Sequence, residues 1–233
     1  MMANEDIALK QILINRVATY GLLARLYRTE VDQLLLDQLR SMRFPASTGN
    51  ASVDEAYHLL HAYLSQVWER ALTELAIDFL RVFIGSGNDA YSAAYPFESV
   101  YTSEKRLLMD DAREMVRALY LSEGVTRKSS WKEGEDHISL ELEFVQLLGE
   151  RTVEAFESND DAAAGRLIET QLAFIDGHLV NWVPIFAQDM KKFAKTDFYQ
   201  ALALLTEGFL ETDREFLVDL LGDEDIGSEG NEA

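Results

Sequence analysis

Apolar residues recur at helical spacing along nearly the whole chain, and that periodicity leaves little room for any fold but a helical one. In the first segment Leu13, Val17, Tyr20, Ala24 and Tyr27 fall at offsets of four, seven, eleven and fourteen. Those offsets share one helical face, so a helix is expected from near Glu5 to near Arg28. A shorter apolar stretch covers Val31 to Met42, and Arg43 to Ser52 collects Pro, Gly, Ser and Asn as a loop. Val53 to Phe83 and Ser103 to Leu121 return to the helical period, as does the stretch from Asp136 to about Phe156. Ser158-Asn159-Asp160-Asp161 and Thr196-Asp197 read as helix starts, with acids near the positive end of the helix dipole. The last helix carries Leu202, Leu205, Phe209, Phe216 and Leu220 on one face. Only 3 Pro interrupt the chain, and Pro184 starts or kinks a helix. With no β alternation, the expected fold is all-α, a single bundle-like domain of about eight to ten helices. It spans residues 1–221, with a candidate internal hinge at 123–134. Residues 222–233, GDEDIGSEGNEA, are expected to form a disordered acidic tail.

The chemistry available to such a bundle is narrow. With 0 Cys, disulfides, thiolate metal sites and thiol catalysis are excluded together. A formal net charge of -20 repels phosphate backbones and anionic membranes and favours cationic partners. The start, MMANEDIALK, has acids where a signal peptide carries its basic region, and no apolar run reaches the roughly 20 residues of a membrane span. A soluble, cytoplasmic protein without membrane insertion is expected. Glu55-Ala56-Tyr57-His58 matches the Glu-x-x-His of di-iron bundles once, with no second copy. Gly85-Ser86-Gly87 lacks the Lys-Ser/Thr of a phosphate loop, and no Gly-x-Ser-x-Gly elbow occurs. No catalytic residue and no metal site is assigned.

Two segments stand out, Ala93–Met109 and Glu133–Leu148. Each passes from aromatic or acidic loop chemistry into a helical pattern, which suggests a shaped surface between helices. Asp136 stands where a helix should begin, and as its cap would contribute about 1 kcal/mol. A neutral His137 in the first turn can donate and accept at once, holding either a loop or a peptide carbonyl. In Tyr95-Pro96-Phe97-Glu98-Ser99-Val100-Tyr101, Pro96 extends the backbone of Tyr95. Phe97 and Tyr101 then flank one carboxylate and one hydroxyl.

Together with Asp78–Gly85 and with His178-Leu179, Trp182, Pro184, Phe186 and Asp197-Phe198-Tyr199, these blocks resemble the TorD/DmsD family. Its members are cytoplasmic chaperones of molybdenum-cofactor oxidoreductases of the DMSO/TMAO reductase type. Ser103-Glu104 and Leu140-Glu141-Leu142-Glu143-Phe144 extend the match, which runs from about Asp78 to Asp213. One position departs: the family's usual Pro between the first Glu and the Asp-His pair is Gly134 here, a freer backbone.

The resemblance implies a non-enzymatic helical chaperone with no resident cofactor. Such a protein binds the twin-arginine signal peptide, the apo form of the reductase, or both, as a monomer or a domain-swapped dimer. A leader of that kind has a cationic start and an apolar middle. Phe79, Phe83, Tyr95, Pro96, Phe97 and Tyr101 would supply an apolar groove. Glu98, Glu133, Glu135 and Asp136 would receive guanidinium groups, whose planar fork fits carboxylates. His137 would bond a peptide carbonyl or orient Asp136, with Ser99 and Arg81 in second rank. The rival readings are a chaperone for a non-exported client, a helical carboxylate/His metalloenzyme, and an acidic protein–protein adaptor.

Overall fold

The computed structural model describes residues 2–66, 68–85, 92–103 and 111–228, with side chains from 7 to 222 within those ranges. Every element among them is helical: α1 (Met2–Arg28), α2 (Gln33–Ser41), α3 (Ala51–Ser65), α4 (Ala71–Phe79), α5 (Glu98–Thr102), α6 (Asp111–Ser122), α7 (Ile138–Glu157), α8 (Asp161–Phe174), α9 (Val180–Phe193) and α10 (Asp197–Ser228). Two π-helical turns extend the set, Leu80–Ile84 after α4 and Ile175–Leu179 between α8 and α9.

The helix starts follow local chemistry. Asp32 caps α2 by accepting from the Leu35 N–H at 2.8 Å. Asn50 caps α3 through the N–H groups of Ser52 and Val53, and Asp160 caps α8 through Ala163 at 3.0 Å. Asp32 and Asp160 each satisfy one orphan donor at a helix start, and Asn50 satisfies two.

The faces read from the periodicity turn inward. α1 buries Leu13, Tyr20, Leu23, Ala24 and Tyr27 and packs along α7. The two helices approach so closely that a Cβ on Gly149 would stand 3.0 Å from Val17 Cγ2. α3 packs on α10, α7 on α8, and α9 on α10. The shared core holds Phe83, Trp182, Phe186, Phe198 and Tyr199, each exposed by 2% or less.

Four expectations change. The stretch from Tyr95 to Tyr101 is not all loop, because residues 98–102 close into α5. Asp136 does not cap α7: His137 does, its Nδ1 accepting from the Ser139 N–H at 3.1 Å. Pro184, expected to start or kink a helix, does not start one: it lies inside α9, in its second turn. Finally, α10 continues to Ser228 and does not stop at Gly222, since one Gly costs a helix only about 1 kcal/mol and no Pro follows it. The turn residues Ser86–Asp89, the first turns of the helix expected from Ser103, and residues 229–233 lie outside the described residues.

Candidate functional site

The two segments singled out in the sequence meet. Phe97 and His137 pair as an isolated antiparallel bridge. The Glu98 N–H donates to the Asp136 carbonyl at 3.0 Å, and the Ile138 N–H to the Pro96 carbonyl at 3.0 Å. Asp136 strengthens the join. Its Oδ2 accepts from the Ser99 N–H at 3.1 Å and from the Ser99 hydroxyl at 2.6 Å. Ser99 is the second residue of α5, and no side chain of that helix caps it. Asp136 therefore caps a neighbouring helix, in the place that a local Asp or Ser would usually fill.

The side chains around this seam are internal. Glu98, Ser99, Glu135, Asp136 and His137 are exposed by 4, 0, 6, 0 and 5%. Glu135 accepts from Arg113 Nε at 2.6 Å and from Arg127 Nε at 2.7 Å. Burial opposes its ionisation, but the two guanidinium groups outweigh burial and hold its carboxyl below the usual range. Burial, helped by the charge on Arg28, pushes His137 down to about 3, so the ring is neutral at physiological pH. Because Nδ1 accepts, its proton sits on Nε2. The ring is enclosed edge-on by Phe97 at 5.0 Å and Trp131 at 5.3 Å.

Behind the seam lies a group of carboxyls. Glu98 meets Nδ1 of His178 at 2.9 Å. His178 sits on the second π turn, whose wider winding changes the direction of the side chains that follow. Glu141 is fully buried on α7, and its Oε2 accepts from Trp182 Nε1 at 3.2 Å. Burial, then the nearby charges of Glu98 and Asp136, raises Glu141 well above the usual carboxyl range. Its Oε1 has no hydrogen-bond partner among the described residues. Oδ1 of Asp136 is also without a donor among them. It occupies the space where a side chain on Gly134 would begin: a Cβ there would stand 2.6 Å away.

The other expected site residues are spread around this centre. Phe79 and Phe83 are core aromatics, exposed by 8 and 2%, in contact with each other and with Tyr199. Pro96 is buried, Tyr95, Phe97 and Tyr101 are half-buried, and Glu133 is exposed. Tyr101 stacks on Trp182 at 5.6 Å. Arg81 pairs with Asp78, outside the seam. Glu55 and His58 are exposed on α3, and no three His, Asp or Glu among the described residues converge as a metal site. No helix among them is long and apolar enough to cross a membrane.

Sequence reasoning passed over Glu141, His178 and Trp182 as members of the site, although it quoted all three. It also passed over a groove of about 460 Å³ beside the seam. Trp131, Leu140, Phe144 and Leu147 give this groove its apolar surface, and Arg28, Arg127, Lys128, Glu143 and Glu150 line it as well. Arg28 stacks over Trp131 at 5.4 Å and pairs with Glu143. The one available signal was Trp131, a lone aromatic in a polar stretch.

Comparison with known proteins places this arrangement. Residues 48–188 match the model of the nitrate reductase delta subunit family. Chaperone protein TorD of Photobacterium profundum is 34% identical over 150 residues, covering 64% of this chain and 67% of that one. Chaperone protein TorD of Vibrio cholerae is 32% identical over 169 residues, covering 72% and 73%. Chaperone protein TorD of Vibrio parahaemolyticus is 30% identical over 209 residues, covering 87% and 94%. With a family model matched over more than half its length and relatives aligned nearly end to end, this chain belongs to the TorD/DmsD family of chaperones.

Proposed function

We propose that this protein is a cytoplasmic maturation chaperone for a molybdenum-cofactor oxidoreductase of the DMSO/TMAO reductase type. It binds the apo-enzyme and its twin-arginine leader reversibly and holds both while cofactor is inserted, before export. No bond is made or broken. The observation that carries this reading is the similarity to chaperones named TorD, which covers 94% of one of them.

The site supports it at one remove. The seam of Pro96, Phe97, Glu98 and Ser99 with Glu135, Asp136 and His137 is a braced wall. Its outer side carries the half-buried Tyr95 and Phe97 and the exposed Glu133, beside the groove under Trp131, and Tyr101 ties it to Trp182 from within. An apolar leader segment fits the groove, and its arginines fit exposed carboxylates such as Glu133. Asp136 and His137 position that wall without touching the leader, and Phe79 and Phe83 support it from the core.

Titration calorimetry with the leader peptide of the reductase encoded beside this chain tests the reading. Phe97→Ala combined with Glu133→Lys is expected to weaken binding at least about tenfold, with a small fall in melting temperature because Phe97 packs on His137. Asp136→Ala with His137→Ala is expected to weaken it too, with a larger fall in melting temperature. Full affinity in the first double variant would refute the site. Failure of the unaltered protein to bind the leader would remove leader capture from the function.

A further inference from the structure

On the other side of α4 the molecule shows a surface of opposite character. Ile77, Leu80 and Ile84 are 52, 48 and 53% exposed, and Trp68 is 47% exposed. Ile77 and Leu80 are three residues apart on the helix. Leu80 and Ile84 lie within one π turn, closed by the Gly85 N–H on the Leu80 carbonyl at 2.8 Å. A π turn takes about four and a half residues, so Leu80 and Ile84 stand almost one above the other. The result is an aliphatic stripe on the outside of a helix whose inner face holds Phe79, Val82 and Phe83.

Next to the stripe is a groove of about 400 Å³ lined by Trp68, Ile77, Arg70, Arg81 and Lys195, among others. Three cations against Glu74 and Asp78 leave it with a net positive formal charge, on a chain whose total is -20. Asp78 is also consumed internally. It accepts from the N–H groups of Lys195 and Thr196 and from the Thr196 hydroxyl, as well as from Arg81 at 2.5 Å. Arg81 is thereby held in place, its side chain 41% exposed. Among the described residues, the side chains of Arg70 and Lys195 have no ion-pair partner.

Exposed aliphatics and an aromatic, bordered by cations on an otherwise anionic protein, select for sign as well as for hydrophobicity. We infer that the Trp68–Ile77–Ile84 surface is a second docking site, which takes an acidic, amphipathic segment of a partner polypeptide. It is distinct from the seam at Asp136, and it does not depend on leader binding.

The test uses the full chain and two synthetic amphipathic peptides. In one, Leu and Phe form the apolar face and Glu and Gln fill the rest; the other has Lys in place of Glu. Fluorescence anisotropy is expected to show binding of the Glu peptide. Ile77→Asp, and separately Arg70→Glu with Lys195→Glu, are each expected to weaken it at least about tenfold. These positions are exposed, so circular dichroism and melting should match the parent. Binding of the Lys peptide should not fall in either variant. Three results would overturn the inference: no binding of the Glu peptide, affinity that ignores both variants, or sedimentation equilibrium showing a dimer that Ile77→Asp dissolves. The last would make a second copy of this chain the occupant.

Discussion

Two of the buried polar groups among the described residues are built on opposite terms. The first joins α1, α7, α8 and α10. Arg16 donates to Asp213 through Nε, to its other oxygen through Nη2 at 2.9 Å, and to Gln171 Oε1 at 3.2 Å. The Tyr20 hydroxyl donates to Asp213 at 2.7 Å, and Gln171 Nε2 to the Thr152 hydroxyl at 2.9 Å. One cation meets one anion, and the carboxylate is met on both oxygens. The second group, Glu98, Asp136 and Glu141 with His178, holds three carboxyls to one imidazole, and two of its oxygens lack donors among the described residues. A closed network fastens helices together. An open anionic one has to hold a proton or depend on a neighbour's cations. The second group is the one that lies against the proposed receptor.

The contrast breaks if the closed network proves dispensable. Asp213→Ala leaves the Arg16 guanidinium buried without its anion and removes the partner of the Tyr20 hydroxyl. Loss of one member of a buried pair costs about 3–5 kcal/mol. Urea unfolding is expected to show a loss of that order, larger than for any single change in the second group. A loss below about 1 kcal/mol would mean that solvent reaches Arg16 and that the network is not closed.

The open group is expected to show itself through pH. Folded Glu141 keeps a proton that the unfolded chain releases above the ordinary value of 4.5. From there upward the folded state binds more protons than the unfolded one, so stability falls as pH rises. His137 acts the other way. Its folded value is about 3 against an ordinary 6.5, so between those limits the unfolded chain binds the extra proton and stability rises with pH. Each slope is at most about 1.4 kcal/mol per pH unit. Between 4.5 and 6.5 they oppose each other. Glu141→Gln keeps the shape of the side chain and cannot ionise. It is expected to remove the decline and to uncover the rise over that range. Urea midpoints measured across it check this. A variant whose stability follows its parent's pH profile would show that Glu141 is ionised in the folded protein.

The difference between the two groups also marks what the residues disclosed in advance. The helical face of α1 and the start at Asp160 rest on local period or on residue chemistry, and both were legible. The helix that Asp136 caps was not. A carboxylate at a chain turn serves whichever N–H the packing brings to it, and Ser99 arrives from 37 residues away. Nor was the burial of Glu98 and Glu141 legible. On a chain with this excess of acids, an acidic residue reads as a solvated one until the packing of α5, α7 and α9 encloses it.

Gly134 gives the smallest expected effect and the sharpest test of that packing. The oxygen that would meet a Cβ at 2.6 Å belongs to Asp136, and the same carboxylate is fixed by Ser99 through its other oxygen. In Gly134→Ala the carboxylate has to turn, lengthening the cap on α5, at a cost of about 1 kcal/mol. The same change also lowers the entropy of the unfolded chain, which stabilises by about 0.4–1 kcal/mol where the backbone tolerates alanine. The φ of Gly134 is not positive, so alanine suits the backbone. With Asp136 already replaced by alanine, the contact is gone and only the stabilising effect remains. Gly134→Ala is therefore expected to be neutral or mildly destabilising alone, and stabilising in the Asp136→Ala background. A double-mutant cycle by urea unfolding reads that coupling directly. Equal effects in both backgrounds would mean that the carboxylate turns freely, and the cap across the seam would then not be what holds the two segments together.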